Sequence, residues 1–216
     1  MIDFKLPKST IVQRNIPKNS FDLYTNSKEK DLFTKFISKI TWKNSLSFDS
    51  VNLPTKKIME IQIIHIELKE LHEISPILNI IDKVIPYHII FIISFENLVK
   101  LHTSPKHTSA TSDSSAIIDW SFMTTWFNSS DDKYHLILNK SIDYTYFNFC
   151  TQLCPSTGAS ASGIEELILH SKQVTTLKKD IDKYKSKIKK SLQFNKKIEL
   201  KLKLTELEKQ LRSLQG

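Results

Sequence analysis

The segment MEIQIIHIELKE, residues 59–70, runs apolar through Ile61, Ile63, Ile64, Ile66 and Leu68 and stops on Glu67-Leu68-Lys69. A Glu-x-Lys triplet at the end of a buried strand is how metal-dependent nucleases present one carboxylate to the cation and a lysine to the phosphate. Residues two apart in a strand share a face, so Glu67 and Lys69 would point together, joined by His65. Such a site needs a second acidic group, so that two carboxylates hold the metal. Glu60 has the opposite parity and faces away, and Asp49, the nearest upstream aspartate, falls in an expected loop. Glu67 and Lys69 are the catalytic candidates, with magnesium as cofactor only under that reading. The plainer account makes them the solvated polar rim of a sheet.

Other constellations carry less chemistry. Three glycines cannot build a phosphate cradle, which argues against ATP hydrolysis by this chain. The seven histidines are scattered; His65 with His72, and His88 with His102, are the pairs that could approach each other. Without a carboxylate or cysteine at ligand spacing they are expected to be ordinary sheet or surface histidines, and no metal site is assigned. Cys150 and Cys154, set among Phe147, Phe149 and Leu153, are expected to be buried, inert thiols. Trp120, Phe122 and Trp126 alternate as strand residues do, and such a stripe fills a core more often than it stacks bases.

The C-terminal segment concentrates charge. Formal net charge is +8, yet from Ser171 onward there are 14 Lys and Arg against 5 Asp and Glu, leaving 17 against 18 elsewhere. Lys178, Lys179, Lys183, Lys185, Lys187, Lys189, Lys190, Lys196 and Lys197 are the candidate DNA contacts. Lysines outside an apolar helical seam need no special role, but this excess would attract a polyanion, with steep salt dependence and little sequence preference. Arginine occurs only at Arg14 and Arg212, so bidentate reading of guanine is nearly unavailable.

The elements that would position these residues follow from pattern. The first 25 residues read as an extended arm with one short strand. Asn26 and Glu29 form a capping box, and Leu32, Phe33, Phe36, Ile37 and Ile40 share one face, which predicts a helix ending near Trp42. A strand over 59–68, a helix over 75–84 closed by Ile85-Pro86, and a doubly apolar strand over 87–95 make a parallel crossover. LVKLHT, 98–103, is its antiparallel partner. Residues 104–116 read as a Ser/Thr loop, 118–126 and 134–138 as strands, and SIDYTYFNFCTQLC as a helix capped by Ser141. The expected fold is α+β: a mixed sheet with one parallel β-α-β crossover and antiparallel strands, helices packed on it, and a C-terminal helical coiled-coil segment. The expected units are an α/β body over 1–153, a linker over 154–163 and a basic tail over 164–216. Val174, Leu177, Ile181, Tyr184 and Ile188 repeat at three-four spacing, as do Leu200, Leu204, Leu207, Leu211 and Leu214. The 12 residues from Ile188 to Leu200 are not whole heptads, so the tail is either one stuttered helix or a hairpin near Gln193-Phe194-Asn195. No run is long and apolar enough for a membrane span and the start lacks a secretory pattern, so a cytoplasmic protein is expected.

TIVQRNIPKNSFDLYT, KITWKNSLS, EIQIIHIELK, IDKVIPYHIIFII and SLQFNKKIELKLKLTELEKQL, in this order, resemble the bacterial and archaeal domain-of-unknown-function family 4391, from about Leu6 to Leu214. The resemblance brings no catalytic residues. It implies a context, genes beside helicases and DNA methyltransferases of restriction or phage-defence type. It also implies a charged hairpin where this chain has its Ser/Thr-rich stretch. Together these lead to a non-catalytic accessory subunit that docks on a larger helicase or methyltransferase. Its basic coiled coil would pair with itself or a partner while touching DNA. The alternatives are the Glu-x-Lys nuclease and a pure protein-interaction scaffold.

Overall fold

The computed structural model describes residues 2–109, 112–154 and 161–215, and the chain divides into two compact units, residues 1–153 and 154–216. In the first unit β1 (Ile11–Asn15), β2 (Ile37–Ser47), β3 (Glu60–Leu68), β4 (His88–Phe95) and β5 (Leu98–Thr103) lie side by side in chain order. The short β8 (Phe122–Met123) and β9 (Phe127–Asn128) both pair with β5. Among the described residues only β3 and β4 are parallel, joined by α3 (Ser75–Val84), and the remaining ladders are antiparallel. The fold is therefore the expected α+β arrangement with one crossover.

The capping box forms as read. Asn26 Oδ1 accepts from the Glu29 amide at 3.0 Å, and Glu29 Oε2 accepts from the Asn26 amide at 2.8 Å. The helix it opens, α1 (Ser27–Phe36), stops six residues short of Trp42. Ile37 and Ile40 keep their burial but reach it from a strand, opposite Leu68 and Ile66. Branched Ile37, Ile40 and Thr41 with Trp42 favour extended backbone, and pairing along all of β3 outweighs the helical spacing. Lys69 fixes the junction: its amide donates to the Phe36 carbonyl and its Nζ to the Thr34 carbonyl, both at the open end of α1. The segment around Asp49, expected as loop, is the end of β2 followed by the single turn α2 (Phe48–Val51), which holds Asp49.

Three further expectations change. Within 104–116 the chain forms a hairpin, β6 (Lys106–Ser109) with β7 (Ser112–Ile118). Ser and Thr suit a strand without apolar alternation, and Lys106 anchors it, as described below. Of the long strand expected over 118–126, only Ile118, the last residue of β7, and the two residues of β8 are extended in ladders, although Phe122 and Thr124 are buried and Met123 and Thr125 exposed, the alternation its pattern implied. Residues 134–138 form no strand. Both backbone groups of His135 are satisfied by the Gln152 side chain, from Oε1 at 2.9 Å and Nε2 at 2.8 Å, so no partner strand is needed. Gln152 lies on α4 (Ile142–Leu153), capped by Ser141 Oγ accepting from the Tyr144 amide. Asp143, in its first turn, accepts from the amides of Lys56, Lys57 and Ile58 and so ties down the approach to β3.

The sheet has two buried faces, which is why β3 and β4 are apolar on both. One carries Ile64, Ile66, Phe91 and Ile93 against α1 and α3. The other carries Ile61, Ile63, Ile90 and Ile92, with α4 and the N-terminal arm on that side, where Phe4 meets Phe149 edge-on at 5.7 Å. Gln13 and Lys5 hold positive φ, both 52°, without being glycine.

The second unit is a helical hairpin, α5 (Ile164–Lys190) and α6 (Phe194–Gln215), folded back through residues 191–193. This resolves the broken heptad phase: the extra residues are a turn. Leu167, Val174, Ile181 and Leu207 are its buried apolar side chains, Lys185 meets Glu208 at 3.4 Å, and His170 Nε2 lies 2.7 Å from the Leu214 carbonyl. Most of the expected linker, residues 155–160, lies outside the described residues.

Candidate functional site

Glu67 and Lys69 are held by different partners. Glu67 is the penultimate residue of β3, 40% exposed at its side chain, with Oε1 3.8 Å from His65 Nδ1. Lys69 lies beyond the strand end, with its ammonium on the α1 carbonyl. Glu60 turns to the opposite face, where its carboxylate accepts from Gln62 Nε2. Among the described residues no three His, Cys, Asp or Glu side chains converge at metal-ligand spacing.

What joins Glu67 is a line of polar groups along the parallel pair. His65 Nε2 lies 2.7 Å from Ser94 Oγ, and Glu67 pairs in register with Ser94. Serine, histidine and glutamate thus follow the order of a nucleophilic relay. The acid is beyond hydrogen-bond distance, however, and Ser94 sits inside a regular strand paired on both sides, without a turn to offer oxyanion donors. The arrangement satisfies a buried histidine. Burial, then the nearby charges of Lys43 and Lys39, lowers its pKa to about 4.

The expected histidine pairs do not meet. His72 stacks flat on Phe36 at 3.7 Å, whereas His65 is bonded to Ser94. His88 meets Tyr146 edge-on on one face of the sheet, and His102 lies beside Phe91 on the other. Burial lowers both to about 4. Cys150 is buried and Cys154 half-buried. Trp126 packs against the core.

Sequence reasoning missed a charged cluster inside the body. Asp82 on α3 and Lys106 at the start of β6 are almost fully buried, with Nζ 3.1 Å from Oδ1. The same ammonium donates to the carbonyls of Asp82 and Ile85 at 2.6 and 2.7 Å, so all three of its hydrogens are placed. Burial pushes the Asp82 carboxyl up and the Lys106 ammonium down, each against the attraction of the other. His102 Nε2 lies 3.9 Å from Asp82 Oδ2, and neither that oxygen nor His102 Nδ1 has a hydrogen-bond partner among the described residues. Nothing in the spacing of residues 82, 102 and 106 signals the cluster, because β5 and β6 must first fold back over α3.

The nine candidate DNA-contacting lysines all lie on the hairpin. Lys178, Lys179, Lys183, Lys185, Lys187, Lys189, Lys190 and Lys196 are exposed and Lys197 is half-buried. Lys187 lies over the Tyr184 ring. Five of them surround the turn: Lys187, Lys189 and Lys190 end α5, and Lys196 and Lys197 open α6. Leu192 and Phe194, between them, are 98% and 74% exposed. The first turn of α6 has no acidic residue, so Lys196 and Lys197 sit where the helix dipole is already positive, whereas Lys187, Lys189 and Lys190 complement the negative end of α5.

These features define an α+β body with a separate basic helical hairpin. The family described as "Domain of unknown function (DUF4391)" matches residues 4–211, nearly the whole chain, and the chain belongs to it. Comparison with curated proteins and with solved structures finds no match. Among the described residues no helix is long and apolar enough to cross a membrane.

Proposed function

We propose that this protein is a non-catalytic, cytoplasmic accessory subunit of a DNA-directed restriction or phage-defence system. Its α/β body docks on a larger helicase or methyltransferase, and its helical hairpin contacts DNA. The observation that carries the DNA contact is the hairpin turn. Five lysines surround two apolar side chains that the protein leaves in water. Lysines of this kind engage phosphates as point charges, and an exposed leucine and phenylalanine between them suit the sugar and base edges of a groove or a splayed base. The partner rests on the family context alone.

The test is duplex and single-stranded DNA binding by fluorescence anisotropy across a salt series. The wild type is compared with a full-length variant carrying glutamine at positions 187, 189, 190, 196 and 197. Salt-sensitive binding lost in the variant supports the reading. Equal binding by the two proteins, or none by either, removes the hairpin as a DNA contact and leaves protein docking as its role.

The metal-dependent nuclease built on Glu67 and Lys69 has less to support it, since Lys69 is bonded to α1 and Glu67 faces a neutral histidine.

A further inference from the structure

The charge of the helical hairpin is partly compensated along its shaft and uncompensated at its turn. Lys185 of α5 meets Glu208 at 3.4 Å, and Lys203 of α6 meets Glu206 at 2.7 Å. Residues 189–197 contain no acid, and among the described residues Lys189, Lys190, Lys196 and Lys197 have no ion pair. Leu192 and Phe194 stand between the two lysine pairs, almost wholly in water, and Ile198, one helical turn beyond Phe194, is exposed as well. These side chains do not hold the hairpin together; the buried apolar ones are Leu167, Val174, Ile181 and Leu207.

The form of DNA that suits such a turn follows from what each form exposes. An intact duplex offers phosphates to the lysines but keeps its base faces stacked, and the apolar group on its groove edges is the thymine methyl. Against a duplex the Phe194 ring has little to cover it, and wedging the ring into a base step costs the unstacking of that step. Unpaired bases present whole π-faces, on which an aromatic ring stacks without regard to sequence. The lysines before and after the turn then meet phosphates on either side of the stacked base as point charges. Lysines alone would favour the duplex, whose phosphates are the denser, so a preference for unpaired DNA reports the apolar pair.

We propose, on the reading of this turn as the DNA contact, that its target is DNA with unpaired bases, a single strand or a fork where two strands part. Phe194 stacks on an exposed base, Leu192 packs beside it, and Lys189, Lys190, Lys196 and Lys197 hold the flanking phosphates.

The full chain is titrated at one salt concentration against three labelled DNAs of equal length: a blunt duplex, a fork with unpaired arms and a single strand. Anisotropy should show the fork and the single strand bound about tenfold or more tighter than the duplex, the contribution of one stacked base. Phe194→Tyr keeps the ring and should keep the preference. Phe194→Leu keeps apolar bulk without a ring and should lower the preference about tenfold. Position 194 is 74% exposed, so both variants fold. 2-Aminopurine placed at the fork junction should change its fluorescence on binding the wild type and Phe194→Tyr, and not on binding Phe194→Leu. Equal affinity for the three DNAs, or a preference kept in full by Phe194→Leu, overturns the proposal and leaves the hairpin a plain phosphate contact. Binding to none of the three, or undiminished binding by the five-glutamine variant, removes the DNA contact itself and this inference with it.

Discussion

Lys106 Nζ lies 3.1 Å from Asp82 Oδ1 inside the body, and its other two hydrogens go to the carbonyls of Asp82 and Ile85 at the end of α3. One side chain thus pins the β6–β7 hairpin to the crossover helix and satisfies carbonyls that the helix end leaves open. Removing one partner strands a buried charge. Lys106→Met or Asp82→Ala should each cost about 3–5 kcal/mol in urea unfolding, whereas Lys106→Met with Asp82→Leu should lie within about 2 kcal/mol of the wild type. Single variants that lose under about 1 kcal/mol would mean the pair is not sealed as described.

Acid should unfold the protein earlier than its carboxylates require. His65, His88 and His102 take up protons near pH 6.5 when unfolded but only near pH 4 in the folded chain. Between those values the unfolded chain binds more protons, so stability is complete above 6.5 and is lost as pH falls toward 4. Each histidine contributes a slope of up to about 1.4 kcal/mol per pH unit in that window. Thermal melts at pH 7.5, 5.5 and 4.5 should show the fall, and His65→Gln should flatten it. A melting point constant from 7.5 to 4.5 contradicts the burial of these rings.

Asp143→Ala frees three amides at once, those of Lys56, Lys57 and Ile58. A loss of about 1–3 kcal/mol is expected, with faster hydrogen exchange confined to the segment before β3. Global acceleration, or none, would indicate a different anchor.

At the hairpin turn, Leu192→Ser with Phe194→Ser should leave stability within about 0.5 kcal/mol, because both side chains are already in water. The same variant should weaken DNA binding without changing its salt slope, whereas each lysine that contacts a phosphate reduces the slope by about 0.9 when neutralised. A double serine variant that binds DNA as tightly as the wild type would remove the apolar pair from the interface.

The wild type with magnesium should leave supercoiled plasmid intact. Nicking that disappears in Glu67→Ala would reinstate the Glu-x-Lys nuclease.

The parts legible in the sequence were those set by local pattern: the Asn26 capping box, the doubly apolar strands of the crossover, the Ile85-Pro86 stop, and a break in tail phase. Misreadings arose where two patterns coexist. Phe33, Phe36, Ile37 and Ile40 satisfy a helical period, yet only pairing with Ile66 and Leu68 decides that the last two belong to a strand. The polar strands β6 and β7 have no apolar alternation to betray them, and a Gln152 side chain supplants a partner for residues 134–138. The register breaks of β2 against β1 and β3 could not be foreseen, because register is a property of paired strands.

Those breaks also bear on how the sheet meets other chains. An open sheet ends in rows of unpaired amides and carbonyls, which recruit strands from neighbouring molecules and seed aggregates. Here one margin is five residues long, kinked at Gln13 and charged at Arg14; the other is divided into two ladders of two residues each. Neither margin offers a straight template for an incoming strand. The bend at Gln13 thereby helps keep the sheet closed to growth.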